Sequence, residues 1–306
     1  MMKAPALCAF LCAGLLFPCA AAQEDDAARD AEECRAEAEK GDAWAQCQMG
    51  VRYGQGRGVP KDEARAAEWF RKAAVQGNSL AQFNLGILYD NGAGVEKDAA
   101  KAAEWYTKAA ELGDDDAQFN LANMYLEGRG VKQDTAQAVK WLSRAASLNN
   151  ASAMCSLGIL CAEGQGVEKN DAKAVYWFLL AAQLGNINAC YNLGVMYENA
   201  RGVEWDGAKA AALYRKAAEL GHAEARLNLG VMYVNGSGVE KDAAKAAYWF
   251  GKAAEQGNAD AQYNLGSMYD HGSGVEKDAA KAVDLYRKAA QQGCTEAAQR
   301  LKELGE

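Results

Sequence analysis

The side chains that most often carry chemistry are few in this chain, and their spacing does not suit most of that chemistry. It has two histidines and nine cysteines in 306 residues. His222 and His271 fall in different stretches, one at a predicted helix cap and one in a loop, and no His-Glu-x-x-His occurs, so no metal is expected. No Ser-x-x-Lys occurs either, which removes the usual nucleophile arrangement of the serine β-lactamases. Cys8, Cys12 and Cys19 lie in an N-terminal apolar segment. The others, Cys34, Cys47, Cys155, Cys161, Cys190 and Cys294, show neither Cys-x-x-Cys nor a zinc spacing. Cys34 and Cys47 lie on consecutive predicted helices and admit two readings: a bridge that staples an N-terminal cap to the first full repeat, or two buried thiols. Cys155 and Cys161 stand about 240° apart around one helix and are not expected to pair. Asp114, Asp115 and Asp116 cluster where a helix begins, a place that attracts carboxylates without any functional cause. Glycine loops such as Gly92-Ala93-Gly94-Val95-Glu96-Lys97-Asp98 invite comparison with a phosphate cradle. They recur along the chain and come after helices rather than strands, so they read as connections, and no cofactor is expected.

The elements that carry these residues repeat. The stretch Gly221–Gln256 fits again when shifted by 36 residues, and seven units run without insertion or deletion: 41–76, 77–112, 113–148, 149–184, 185–220, 221–256 and 257–292. Such a period predicts stacked helix-turn-helix units rather than one closed core. Each unit opens on Gly, or on Asn149 in the fourth copy, residues suited to the left-handed turn that ends a helix. The next residue is usually Asp or Asn, an N-cap for the first helix. That helix carries Ala, Leu, Gly and Tyr, as in Ala81, Leu85, Gly86 and Tyr89; the glycine predicts a neighbour too close for a side chain. The second helix carries Ala102, Trp105, Ala109 and Ala110. Its tryptophan row, Trp69, Trp105, Trp141, Trp177 and Trp249, with Leu213 and Leu285, is expected in the core. Residues 23–40 and 293–306 predict an N-terminal and a C-terminal capping helix. The fold class is therefore all-α.

A net charge of −8 argues against a nucleic-acid partner. Lys3 followed by the apolar run Ala4–Phe17, then Pro18 and Ala20-Ala21-Ala22, reads as a signal peptide over 1–22, too short to span a bilayer. Export to the periplasm or beyond is the expected localisation, with no transmembrane segment.

Ala-x-x-x-Leu-Gly-x-x-Tyr on the first helix and Ala-x-x-x-Tyr-x-x-Ala on the second resemble the Sel1-like repeats, relatives of the tetratricopeptide repeats. The resemblance covers 41–292 and implies a right-handed α-solenoid acting as an adaptor or scaffold, its first helices lining a groove for a protein or peptide. It places Asn84, Asn120, Asn192, Asn228 and Asn264 in that groove, beside Phe83, Phe119, Tyr191 and Tyr263. These asparagines would either hold an extended peptide or satisfy carbonyls between repeats, and the rings would either stack on the ligand or pack between helices. Trp44, Asp116, Glu224 and Asp260 are the groove residues expected to vary between units. A cysteine-rich branch of the family, with one disulfide per repeat, has activity toward β-lactams. Here Ala74 and Ala110 replace its cysteines and only Cys190 matches. An envelope enzyme or sensor acting on peptidoglycan or β-lactams, and a secreted host-interaction factor, are the alternatives to an adaptor.

Overall fold

The computed structural model describes residues 20–306, with side chains from residue 27 onward; the apolar run of the expected leader lies outside the described residues. Helix α1 (Ala20–Glu39) precedes seven pairs: α2 (Ala43–Gln55) and α3 (Glu63–Val75), α4 (Ser79–Asn91) and α5 (Ala99–Glu111), α6 (Asp115–Glu127) and α7 (Thr135–Ser147), α8 (Ala151–Glu163) and α9 (Asp171–Gln183), α10 (Ile187–Glu198) and α11 (Gly207–Glu219), α12 (Ala223–Asn235) and α13 (Ala243–Glu255), α14 (Ala259–His271) and α15 (Ala279–Gln291). Helix α16 (Thr295–Leu304) closes the order, and no strand occurs among the described residues. This is an all-α solenoid of helix pairs, with a further helix at each end of the described order.

Local chemistry sets the element boundaries. Asp42, Asn78, Asn150, Asn186 and Asn258 each accept a hydrogen bond from the backbone N–H three residues on, holding the first turn of their helix. His222 takes the same role through its ring nitrogen. Asp or Asn caps every second helix, as Asp98 does for α5. Asn149 adopts φ 66°, the left-handed turn made by glycine in the other copies. The glycine at Gly94 is required by its neighbour: a Cβ there would stand 2.1 Å from the carbonyl oxygen of Glu63, one repeat earlier.

The core is a column of small first-helix residues against large second-helix ones. A Cβ on Gly86 would lie 2.7 Å from the Tyr106 ring, and one on Gly230 would lie 2.5 Å from Phe250. The close neighbour anticipated for this recurrent glycine is an aromatic ring. In the third repeat Ala122 replaces the glycine and Leu142 replaces the ring, both fully buried. This ring column, Phe70, Tyr106, Leu142, Phe178, Tyr214, Phe250 and Tyr286, is the true second-helix core; none of its members is more than 4% exposed. The tryptophan row is a correction. Trp141 is buried, but Trp69, Trp105, Trp177 and Trp249 are half-buried, and cations cover several of them. Lys72 lies 4.1 Å from the Trp69 ring centre and Lys108 lies 3.9 Å from that of Trp105. The tryptophans sit one residue short of the inward direction and seal the edge of the core.

The described chain forms two compact units, one ending at Asp114 and one starting at Asp115. In the first, Gln46 and Gln82 each reach back to a carbonyl of the preceding repeat, Ala38 and Ala74, at 3.0 Å. Gln76 donates to the Gln46 oxygen at 2.7 Å. Leu112 occupies the corresponding place in the next repeat, and the buried Gln82 Oε1 has no partner. In the second unit, Arg226 and Gln262 make the same backward reach, to Ala218 and Ala254. Tyr214 donates to Glu198 at 2.6 Å, and Tyr286 lies close enough to Asp270 to feel its charge.

Candidate ligand-binding face

The residues assigned to a groove occupy the first-helix face, and all nine are half-buried. In the first unit, the Phe83 ring rests on Tyr106, centroids 5.9 Å apart. In the second, Tyr191 rests on Tyr214 at 5.8 Å and Tyr263 on Tyr286 at 5.7 Å. These rings therefore pack on the core column with one side and turn the other outward. Tyr191 also stacks on His222 at 4.4 Å, 19° from parallel.

The asparagines divide by partner. Asn84 Nδ2 donates to the Leu80 carbonyl of its own helix at 2.7 Å. Asn192 lies near enough to the Cys155 thiol, and Asn228 to the hydroxyls of Tyr191 and Tyr214, to oppose the rise that burial gives those groups; in each case the amide faces the preceding repeat. Asn120 and Asn264 have no side-chain hydrogen bond among the described residues. None of these contacts is with a carbonyl of another repeat. Phe119 lies beside Asn120 on α6.

Two clefts open on this face. One, of about 600 Å³ within the second unit, is lined by Val231, Val234, Phe250, Asn264, Ser267 and His271 among others. The other, of about 580 Å³ in the first unit, lies between α1 and α2 around Trp44, which is 60% exposed, and holds Asp30, Glu33, Glu37 and Arg52. Of the lining residues of the larger cleft, only Asn264 belongs to the row assigned from the sequence. Val234, Ser267 and His271 were missed, and their signal was each one's departure from its counterparts in other repeats.

Electrostatics on the face arise from burial and helix ends. Asn150 donates to Asp115 at 3.0 Å and to Asp116 at 3.1 Å. Burial, then the charge of Asp115, pushes the Asp116 carboxyl above its usual range. The His222 imidazole is held below its ordinary value by burial, against the pull of Glu224 at 3.3 Å. At the end of the row Arg300 stands where the asparagines stand elsewhere and holds Asp270 at 2.7 Å.

Cys34 and Cys47 stand as two thiols: Cys34 donates to the Ala45 carbonyl at 3.5 Å, and Cys47 is fully buried in the same core cluster. Burial pushes Cys47 up to about 11 and Cys155 up to about 12, so neither is a ready thiolate. Among the described residues, no group of three His, Cys, Asp or Glu could hold a metal ion, and no helix is long and apolar enough to cross a membrane.

Comparison with known proteins accords with this geometry. The Sel1 repeat family model matches seven times, over 45–78, 79–114, 115–150, 151–186, 187–222, 223–258 and 259–294, the same period in a slightly shifted frame. A protective antigen of uropathogenic Escherichia coli with an SLR fold is 42% identical over 90% of this chain, with a TM-score of 0.85; the chain spans 59% of that protein's length. A Sel1 repeat protein from Oxalobacter formigenes is 36% identical over 92% of this chain and 81% of its own, with a TM-score of 0.75. No functionally curated protein matches this chain.

Proposed function

The chain belongs to the Sel1 repeat family, whose solenoids generally serve as protein-interaction scaffolds, and from that premise we propose that it is a non-catalytic adaptor whose first-helix face binds a protein or peptide. The observation that carries this reading is the pairing of half-buried rings with amides along that face, of which Asn120 and Asn264 have no internal hydrogen bond. An extended peptide presents regularly spaced backbone donors and acceptors, and an open amide can serve one of each. The raised thiols and separated histidines favour binding over nucleophilic or metal chemistry.

We place the adaptor outside the cytoplasm, in the periplasm or secreted, on the strength of the N-terminal apolar run and its small-residue site at Ala20–Ala22. The description of the E. coli relative as a protective antigen supports an exposed setting. N-terminal sequencing of protein recovered from the periplasm or medium checks this, and an uncleaved cytoplasmic product refutes it.

To test binding, peptides selected from a displayed random library on the full chain would be titrated against Asn120→Ala and Asn264→Ala. These two substitutions remove no internal hydrogen bond, so the helical circular dichroism should stay unchanged while affinity falls. Undiminished affinity in both variants would move the ligand off this face.

A further inference from the structure

We propose that the cleft between α12 and α14 is a socket for a tyrosine side chain of the bound peptide. The inference rests on the binding reading above, because Asn264 belongs to both.

Two positions at the cleft depart from their counterparts, and a third lacks a hydroxyl that some counterparts carry. Ser267 stands where Val51, Ile87, Ile159, Val195 and Val231 stand in other first helices, which removes branched carbon from the wall. Val234 occupies the place held by Asp90, Glu198 and Asp270 elsewhere, and Phe250 lacks the hydroxyl that Tyr214 gives to Glu198. The wall is therefore apolar, with no internal hydrogen bond between those two side chains. The resulting space of about 600 Å³ is ample for one aromatic side chain.

The polar groups at the cleft select among aromatic residues. His271 Nδ1 lies 2.8 Å from the Ser267 carbonyl. A carbonyl only accepts, so Nδ1 carries the proton, and in the neutral ring Nε2 offers a lone pair. Lys241 also lines the cleft and makes no ion pair among the described residues; its side chain folds back over Gly236. Asp242 is already engaged, accepting from the Lys245 backbone N–H and pairing with its ammonium, each at 2.9 Å. Besides the Asn264 amide and the Ser273 hydroxyl, the lining thus holds an open acceptor at His271 Nε2 and an open cation at Lys241. A phenol hydroxyl donates to that acceptor and accepts from that cation. A carboxylate would face the Nε2 lone pair and Asp242, an ammonium or guanidinium would face Lys241, and a plain phenyl ring would desolvate both groups without replacing their water.

The test uses the full chain labelled at its methionine methyls, since Met268 lines the cleft. The probes are capped pentapeptides, four alanines around a central Tyr, Phe or Glu, together with N-acetyltyrosinamide. The Tyr peptide should shift the Met268 signal and bind about tenfold tighter than the Phe peptide, the scale of one or two hydrogen bonds. Two variants borrow residues from other repeats and should fold: Ser267→Val should abolish the shift, and His271→Asn, as at Asn91, Asn199 and Asn235, should erase the preference for Tyr over Phe. Equal binding of Tyr and Phe, tighter binding of Glu, or a shift that survives Ser267→Val would overturn the socket. So would N-acetyltyrosinamide binding tighter than the peptide, which would make this a site for free phenols. If Asn120→Ala still weakens library peptides while Ser267→Val does not, the adaptor reading stands and the socket alone falls.

Discussion

Replacing Gly230 with alanine sets two effects against each other. Alanine gains about 1 kcal/mol of helix propensity over glycine. The added Cβ, however, would stand 2.5 Å from Cε1 and 2.6 Å from Cδ1 of Phe250. Carbon atoms settle at about 3.5–4.0 Å, so ring and backbone must part by roughly 1 Å in a close-packed core. Overpacking of this kind costs about 1–3 kcal/mol, and the net expectation is a loss of about 1 kcal/mol. Phe250→Leu alone leaves a gap over Gly230 and should cost a similar amount. The double variant recreates the Ala122 and Leu142 pair that the third repeat already contains at zero exposure. It should therefore be more stable than the sum of the single changes by at least about 1 kcal/mol. Urea unfolding followed by far-ultraviolet circular dichroism measures all four corners of the cycle. Additive changes, or a Gly230→Ala variant more stable than the parent, would refute the idea that the ring excludes the side chain.

Tyr106→Ala should destabilise by about 3–5 kcal/mol as a core truncation, and Trp105→Ala by clearly less, because the tryptophan is half-buried beneath Lys108; equal losses in urea unfolding would restore the tryptophan to the core. Leu112→Gln should stabilise by about 1 kcal/mol, supplying the buried Gln82 Oε1 with the donor that Gln76 gives Gln46, and an unchanged urea midpoint would count against it. Burial lowers the His222 pKa, so the unfolded chain takes up the proton first. Stability from this group is complete above its ordinary value near 6.5 and falls as pH drops below it. His222→Asn, matching the caps at Asn186 and Asn258, should flatten melting temperature against pH in that window, and a slope as steep as the parent's would exclude His222 as its cause.

The fold was legible because one local rule is written seven times. Asn149 could replace glycine and still be read as a left-handed turn, and the structure gives it φ 66°. The tryptophan row misled because recurrence does not imply burial: Trp105 and Tyr106 both sit on α5, but only Tyr106 points at the glycine of the facing helix. The candidate face was legible as a row of half-buried first-helix residues, but its contacts were not. The asparagine alone does not separate Asn228, which lies beside the hydroxyls of Tyr191 and Tyr214, from Asn264, whose counterparts of those residues are Leu227 and Phe250. That difference depends on the residues one repeat away.

One pairing across helices was readable in the sequence and explains where clefts can form. Where the core ring is tyrosine, at Tyr106, Tyr214 and Tyr286, the last turn of the facing helix carries Asp90, Glu198 or Asp270. Where it is phenylalanine, at Phe70, Phe178 and Phe250, that place holds Gly54, Ala162 or Val234. The Tyr214–Glu198 bond at 2.6 Å supplies the reason in that repeat: a buried hydroxyl without an acceptor costs about 1–3 kcal/mol, so Glu198 is committed to the core. Asp270, by contrast, is held by Arg300 and reaches Tyr286 only through its charge. A phenylalanine repeat makes no such demand, and its last turn is free to change size and polarity without disturbing the stack. The larger cleft sits against one of these released positions, Val234 over Phe250. Side chains at the last turn of a phenylalanine repeat can therefore change at little cost to the fold.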